Sequence, residues 1–90
     1  MEQRIQDIDV RVYRLDRWNA GYQRGERNLT IPVEASADGT TLSVYLSDVA
    51  NWDAPDEDVS LTAEDREEIR GRFTEEYRRR GVTVDFDPAQ

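Results

Sequence analysis

The sequence predicts an α+β protein in which a four-stranded sheet, mixed or antiparallel, carries one helix on one face in the order β-β-β-α-β. Apolar and polar residues alternate in the first half of the chain, which is typical of half-buried strands, whereas apolar residues recur at helical spacing after Trp52. Ninety residues are enough for one modest hydrophobic core. We therefore expect residues 1–90 to form a single domain.

The first predicted strand lies within residues 5–15, IQDIDVRVYRL. Its alternation places three apolar side chains on one face, namely Ile8, Val10 and Val12, and leaves Asp9, Arg11 and Tyr13 on the other. Residues 16–28 (DRWNAGYQRGERN) contain two glycines and are predicted to form a loop.

A hairpin is predicted around Asp38-Gly39, the preferred pair for a two-residue type I′ turn. The register set by that turn places apolar pairs on one face: Ala35 with Leu42, Val33 with Val44, and Ile31 with Leu46. Turn chemistry and hydrophobic pattern therefore agree.

Pro32 lies inside the first strand of this hairpin. A type I′ turn would put Pro32 opposite Tyr45 in a non-hydrogen-bonded pair, so that the missing N–H points away from that partner. We therefore expect the other side of the strand to lack a regular ladder bond at Pro32.

Helix signals begin at Thr62, a favourable N-cap, with Asp65 three residues later as a variant of the capping box. Gly81 is a stop signal, so the predicted helix runs from about residue 63 to 80. Its apolar stripe consists of Ile69, Phe73 and Tyr77. Three i, i+4 ion pairs are expected on its surface: Glu68–Arg72, Glu75–Arg79 and Glu76–Arg80. Residues 82–86 (VTVDF) form the last predicted strand.

Eight carboxylates lie within residues 51–69, and the four nearest the predicted helix suit the positive end of its dipole. The other four, Asp53, Asp56, Glu57 and Asp58, lie in a predicted loop. A calcium hand that began at Asp53 would need a ligand at its third position and glycine at its sixth, where the chain has Pro55 and Asp58. The pattern predicts a solvated acidic loop with no dedicated metal site and no cofactor.

Most enzyme chemistry is excluded by composition. The chain has no cysteine and no histidine, and all twelve basic residues are arginine. It therefore lacks a thiolate nucleophile, the commonest general base and a Schiff-base lysine. We expect a protein that is not an enzyme.

The net charge of −8 argues against nucleic acid as a ligand and fits either a basic protein partner or simple solubility. Mimicry of DNA would further require carboxylates spaced like phosphates, a spacing that the sequence does not supply. No apolar run is long enough to cross a membrane and the N-terminus lacks a signal peptide's apolar stretch, so we expect a cytoplasmic protein with no membrane contact.

Aromatic residues outside the predicted core are the remaining candidates for binding. Tyr45 falls on the polar face of its strand, and Trp18 and Tyr22 fall in the predicted loop among several arginines. The alternative for Trp18 is that it folds back to cap the core. The residues predicted to contact a partner are Asp53, Asp56, Glu57, Asp58, Glu64, Tyr45 and Trp18.

Residues 42–86 contain a strand (LSVYLSD), Trp52-x-x-Pro55, the polar cap Leu61-Thr62, a helix with a sparse apolar stripe, and Gly81 before a final strand. This layout resembles that of small bacterial immunity-type proteins, which neutralise a co-produced toxin. The resemblance implies an acidic binding module that blocks a basic toxin, often a nuclease, and it carries over no binding residue. The alternative is a small regulatory or accessory domain from a salt-adapted or GC-rich prokaryote, whose acidity is incidental.

Overall fold

The computed structural model describes residues 9–88 and confirms an α+β fold with one helix, but its sheet has five strands where four were predicted. The elements are β1 (Val10–Arg14), β2 (Asn19–Arg24), β3 (Arg27–Ala35), β4 (Thr41–Val44), a short 3₁₀ helix (Leu46–Asp48), α1 (Ala63–Arg78) and β5 (Thr83–Phe86). The spatial order is β1-β2-β3-β4-β5. Neighbours are antiparallel except β4 and β5, which run parallel because α1 connects them. Residues 5–8 of the first predicted strand, with Ile8, lie outside the described residues.

The additional strand is β2, so the prediction of a loop over residues 16–28 was wrong. Ala20 and Tyr22 alternate into the core. Gly21 lies between them, and the ring of its cross-strand partner Tyr13 occupies the space that a Cβ at position 21 would need. This close contact explains why glycine is found inside the strand. Gly25, with φ 61°, turns the chain between β2 and β3.

The predicted register of the second hairpin is confirmed, since Val33 lies opposite Val44. Its turn differs from the prediction. Gly39 has φ 75° but Asp38 has no positive φ, which excludes a type I′ turn. A four-residue loop replaces it, in which the Gly39 N–H donates to the Ser36 carbonyl at 3.0 Å.

With this longer loop, the hydrogen-bonded pairs of the hairpin lie one residue away from where a type I′ turn would place them. The prediction that the β2 side of Pro32 lacks a regular ladder bond was therefore also wrong. The Tyr45 N–H donates to the Pro32 carbonyl at 2.9 Å, which means that the missing N–H of Pro32 faces β4. On the other side, Pro32 pairs regularly with Asn19 of β2. The Tyr45 carbonyl accepts instead from Asp48 in the 3₁₀ helix, so sheet pairing ends at Val44 and the predicted pair of Ile31 with Leu46 does not form.

Helix α1 covers one face of the sheet with the predicted stripe of Ile69, Phe73 and Tyr77. The Thr62–Asp65 capping box is confirmed, and Gly81 ends the helix with φ 76°. Of the three predicted i, i+4 pairs, Glu76–Arg80 is present at 2.7 Å. Glu75 pairs instead with Arg78, and Glu68 with Arg24 of β2.

No helix among residues 9–88 is long and apolar enough to cross a membrane.

Candidate functional site

The acidic loop, Asp53–Asp58, is attached to the edge of β3 that extends beyond β4. The Asp53 N–H donates to the Asn28 carbonyl at 2.8 Å, and the Thr30 hydroxyl donates to Asp53 Oδ2 at 2.8 Å. Asp53 thus has an internal role, because its carboxylate holds the start of the loop against the sheet.

The neck of the acidic loop is closed by backbone hydrogen bonds. The Trp52 N–H donates to the Val59 carbonyl at 3.0 Å, and the Leu61 N–H to the Ala50 carbonyl at 2.9 Å. These bonds connect the two ends of the loop directly, so its carboxylates project from a defined base.

The Trp52 side chain attaches the base of the acidic loop to the hydrophobic core. It is 2 % exposed and lies 6.5 Å from the Tyr22 ring, between centroids. The guanidinium groups of Arg24 and Arg27 lie 4.9 and 5.8 Å from the centroid of the indole. Trp52, which lies in the acidic part of the sequence, is therefore a core residue that holds the base of the acidic loop in place.

Arg24 binds two of the eight carboxylates in this part of the chain. Its Nη1 lies 3.0 Å from Asp65 Oδ1 and 3.0 Å from Glu68 Oε1, and the Tyr22 hydroxyl donates to Glu68 Oε1 at 2.7 Å. Burial and the Glu68 carboxylate raise the pKa of Tyr22. For Asp65, burial raises the pKa, but hydrogen bonds from Thr62 and Arg24 outweigh it and hold the pKa below its ordinary value. Asp65 and Glu68 are thus part of the fold.

Four of the eight carboxylates in residues 51–69 have no side-chain hydrogen bond or ion pair with any other residue in the described range: Asp56, Glu57, Asp58 and Glu64. Glu57, Asp58 and Glu64 are exposed, and Asp56 is half-buried beside Arg24 and Arg27 in a shallow pocket of about 420 Å³. We refer to these four residues as the unpaired acids. All four belong to the predicted contact residues, and the fold places them together before and at the first turn of α1.

Within residues 9–88, no three carboxylates converge closely enough to hold a metal ion. Weak binding of calcium or magnesium at the acidic loop stays a prediction.

The two aromatic residues predicted to contact a partner lie near the other end of β3. The Tyr45 hydroxyl donates to Glu34 Oε1 at 3.3 Å, and Glu34 also lines a groove of about 470 Å³ beside Trp18. Trp18 is 56 % exposed, so the alternative in which it caps the core was wrong. Tyr22, grouped with Trp18 in the sequence, is instead fully buried.

Leu15 was missed by sequence reasoning. It is 50 % exposed and lies at the start of the turn between β1 and β2, close in sequence to Trp18. The polar pair Asp16-Arg17 between two large apolar residues is the signal that could have identified this turn.

Comparison with protein-family models gives a match over residues 7–87 to the family described as immunity protein 74. No curated protein and no solved structure matches the chain.

Proposed function

Since the chain belongs to the immunity protein 74 family, whose description implies binding to a toxin, we propose that it neutralises a basic toxin through the acidic loop and Glu64. Immunity proteins are typically non-catalytic inhibitors, in agreement with a composition that lacks histidine, cysteine and lysine. Tyr45 and Trp18 are proposed to complete the contact. The observation that carries the proposal is the cluster of unpaired acids.

The arrangement of charge supports a binding role for these acids. The protein uses Asp53, Asp65 and Glu68 internally, whereas three of the unpaired acids, Glu57, Asp58 and Glu64, are exposed to solvent. Exposed carboxylates contribute little to the stability of a fold. Grouped at one end of a molecule with net charge −8, they create a negative potential that attracts and orients a basic surface.

The proposal predicts fast association that depends on salt. Attraction between exposed charges is screened over about 8–10 Å at ordinary ionic strength, so the association rate should fall as salt is added. The toxin surface that contacts the acidic loop should be rich in arginine or lysine. The probe is the protein encoded beside this gene in its host, called the neighbouring toxin below.

The test compares two triple variants with the same change in net charge. The loop variant is Glu57→Gln, Asp58→Asn, Glu64→Gln, and the control variant is Asp38→Asn, Glu75→Gln, Asp85→Asn, all at exposed positions. Surface plasmon resonance with the neighbouring toxin should show about tenfold slower association for the loop variant and less than about threefold slower association for the control. Both variants should melt within a few degrees of the wild type.

Equal effects of the two variants would contradict the proposal, because the acids would then act only through net charge. An association rate that ignores both salt and the loop substitutions would contradict steering altogether. Failure of the wild-type protein to bind or inhibit the neighbouring toxin would contradict the proposed function.

A further inference from the structure

We propose that the turn between β1 and β2, residues 15–18, is the anchor of the toxin complex and inserts Trp18 into an apolar pocket on the toxin. We call this segment the Trp18 turn. The inference rests on the proposed function and adds a second contact region to it. The unpaired acids would speed association, whereas the Trp18 turn would slow dissociation.

Exposure identifies the turn. Leu15 and Trp18 are the large hydrophobic side chains exposed within residues 9–88, at 50 % and 56 %, and only Asp16 and Arg17 separate them. The remaining apolar side chains of this size lie in or against the core. Tryptophan and arginine are enriched among residues that dominate binding energy, and here Arg17 lies 5.8 Å from the centroid of the Trp18 ring.

The turn is held in one conformation by the Asp16 side chain and by Asn19. Asp16 Oδ1 accepts hydrogen bonds from the Trp18 N–H at 2.9 Å and from Asn19 Nδ2 at 3.1 Å. The Asn19 carbonyl accepts from the backbone N–H groups of Leu15 and Asp16 at 2.9 and 3.2 Å. This network orders the loop before any partner arrives.

Two further contacts attach the turn to the strands. Arg14 donates to the carbonyls of Asp16 and Arg17 at 3.2 and 2.8 Å, and the Val33 N–H of β3 donates to the Trp18 carbonyl at 2.9 Å. The backbone on both sides of the Trp18 Cα is therefore fixed by hydrogen bonds. An anchor ordered in the free protein loses little conformational entropy on binding, which lengthens the lifetime of a complex.

The Trp18 turn and its groove carry two arginines and two acids, Asp16 and Glu34, so that this region lacks the excess of negative charge that the acidic loop has. Arg14 and Arg17 flank Trp18, and the groove beside the ring is lined further by Glu34, Ala35 and small residues. The complementary toxin surface is an apolar pocket with carboxylates or carbonyls at its rim. A toxin that offers basic residues to the loop and such a pocket to Trp18 binds in one orientation.

One interface of ordinary size can include both regions. Thr30, which holds Asp53, and Glu34, which lines the groove, are four residues apart on β3, a separation of roughly 13 Å along the strand. A standard interface of about 800 Å² per partner is roughly 30 Å across, which exceeds the separation between the start of the acidic loop at Thr30 and the groove at Glu34.

The test measures binding kinetics of the full chain with the neighbouring toxin. Trp18→Ala should raise the dissociation rate about 30-fold or more, as expected for a hot spot, and leave the association rate within about threefold. Trp18→Phe, which keeps an aromatic ring, should recover most of the loss. The triple loop variant (Glu57→Gln, Asp58→Asn, Glu64→Gln) should do the reverse and change mainly the association rate.

A second readout separates direct contact from a change of fold. Protein labelled with 5-fluorotryptophan should give two fluorine resonances, one from Trp18 and one from Trp52. The resonance that disappears in the Trp18→Phe variant belongs to Trp18. Addition of unlabelled neighbouring toxin should shift the Trp18 resonance and leave that of buried Trp52 nearly unchanged.

Three outcomes would overturn the anchor. If Trp18→Ala dissociates within twofold of the wild-type rate while the triple loop variant still associates slowly, the role of the Trp18 turn is refuted and the proposed role of the unpaired acids is not. A wild-type protein that self-associates and becomes monomeric on Trp18→Ala identifies the turn as an interface between copies. A wild-type protein that does not bind the neighbouring toxin refutes the proposed function, and the anchor with it.

Discussion

Gly21→Ala should destabilise the protein because the Tyr13 ring occupies the position of the added Cβ. Gly21 is buried on β2, and Tyr13 is its partner on β1. A Cβ built on Gly21 approaches the outer end of the Tyr13 ring more closely than any real Cβ contact. Since Tyr13 is only half-buried on the face of the sheet without the helix, the ring can swing away, and the protein then loses the contact between ring and glycine.

The net effect follows from two opposing terms. Displacement of the ring should cost about 1–2 kcal/mol, at the low end for overpacking because the ring has room to move. Alanine is favoured over glycine within a strand by roughly 0.5 kcal/mol. The net loss is therefore about 1 kcal/mol, or about 4–8 °C in Tm for a domain of this size.

A double-mutant cycle measures the coupling directly. In a Tyr13→Ala background the same Gly21→Ala substitution should stabilise by roughly 0.5 kcal/mol, since only the gain from alanine remains. Gly71→Ala is the matched control, because a Cβ at this exposed helical glycine meets no atom within 4 Å and should stabilise by about 1 kcal/mol. Urea denaturation of the variants gives each value. If Gly21→Ala has the same effect with and without the Tyr13 ring, the steric explanation is wrong.

Three further predictions concern charge. Asp65→Asn should lower the free energy of unfolding by about 1–2 kcal/mol at neutral pH. Because the pKa of Asp65 is lower in the folded than in the unfolded protein, its contribution is present above about pH 4 and is lost as the pH falls through the folded value. Urea denaturation at several pH values should show the difference from wild type shrinking below pH 4, and a constant difference would contradict this. If the acidity reflects only adaptation to salt, added salt should raise the Tm of the isolated protein and no basic protein should co-purify with it, which thermal melting and a pull-down from the host would show. Millimolar calcium or magnesium should bind only weakly at the acidic loop in calorimetric titration, and tight coordination by several carboxylates would refute the solvated-loop interpretation.

Helix α1 could be predicted almost in full because its signals act over a few residues. Thr62 and Asp65 bond to each other's backbone N–H groups, and Gly81 ends the helix with its own positive φ. Such interactions depend on neighbours in sequence, so they are visible without the rest of the fold. The register of the β3–β4 hairpin was accessible for the same reason.

Strand β2 could not be recognised from the sequence because the reason for a glycine within it, Gly21, lies in a neighbouring strand. Gly21 in a segment with Gly25 indicates a loop when the residues are considered alone, and only the Tyr13 ring across the β1–β2 pair makes this glycine compatible with a strand. The pair Gly25-Glu26 did carry a usable signal, since glycine at the first central position is typical of a two-residue hairpin turn.

Sequence alone determined the absence of cysteine, histidine and lysine, the helix, the acidic run and the similarity to immunity-type proteins, because each depends on residue identity or on local spacing. Tertiary structure decided which carboxylates remain available. Arg24 binds Asp65 and Glu68 from 41 and 44 residues away, and Thr30 binds Asp53 from 23 residues away. Tertiary structure likewise placed Tyr22 in the core and Trp18 in solvent, although both lie in the same segment. Pairing and burial between distant residues depend on how the strands and the helix pack, and no local pattern contains that information.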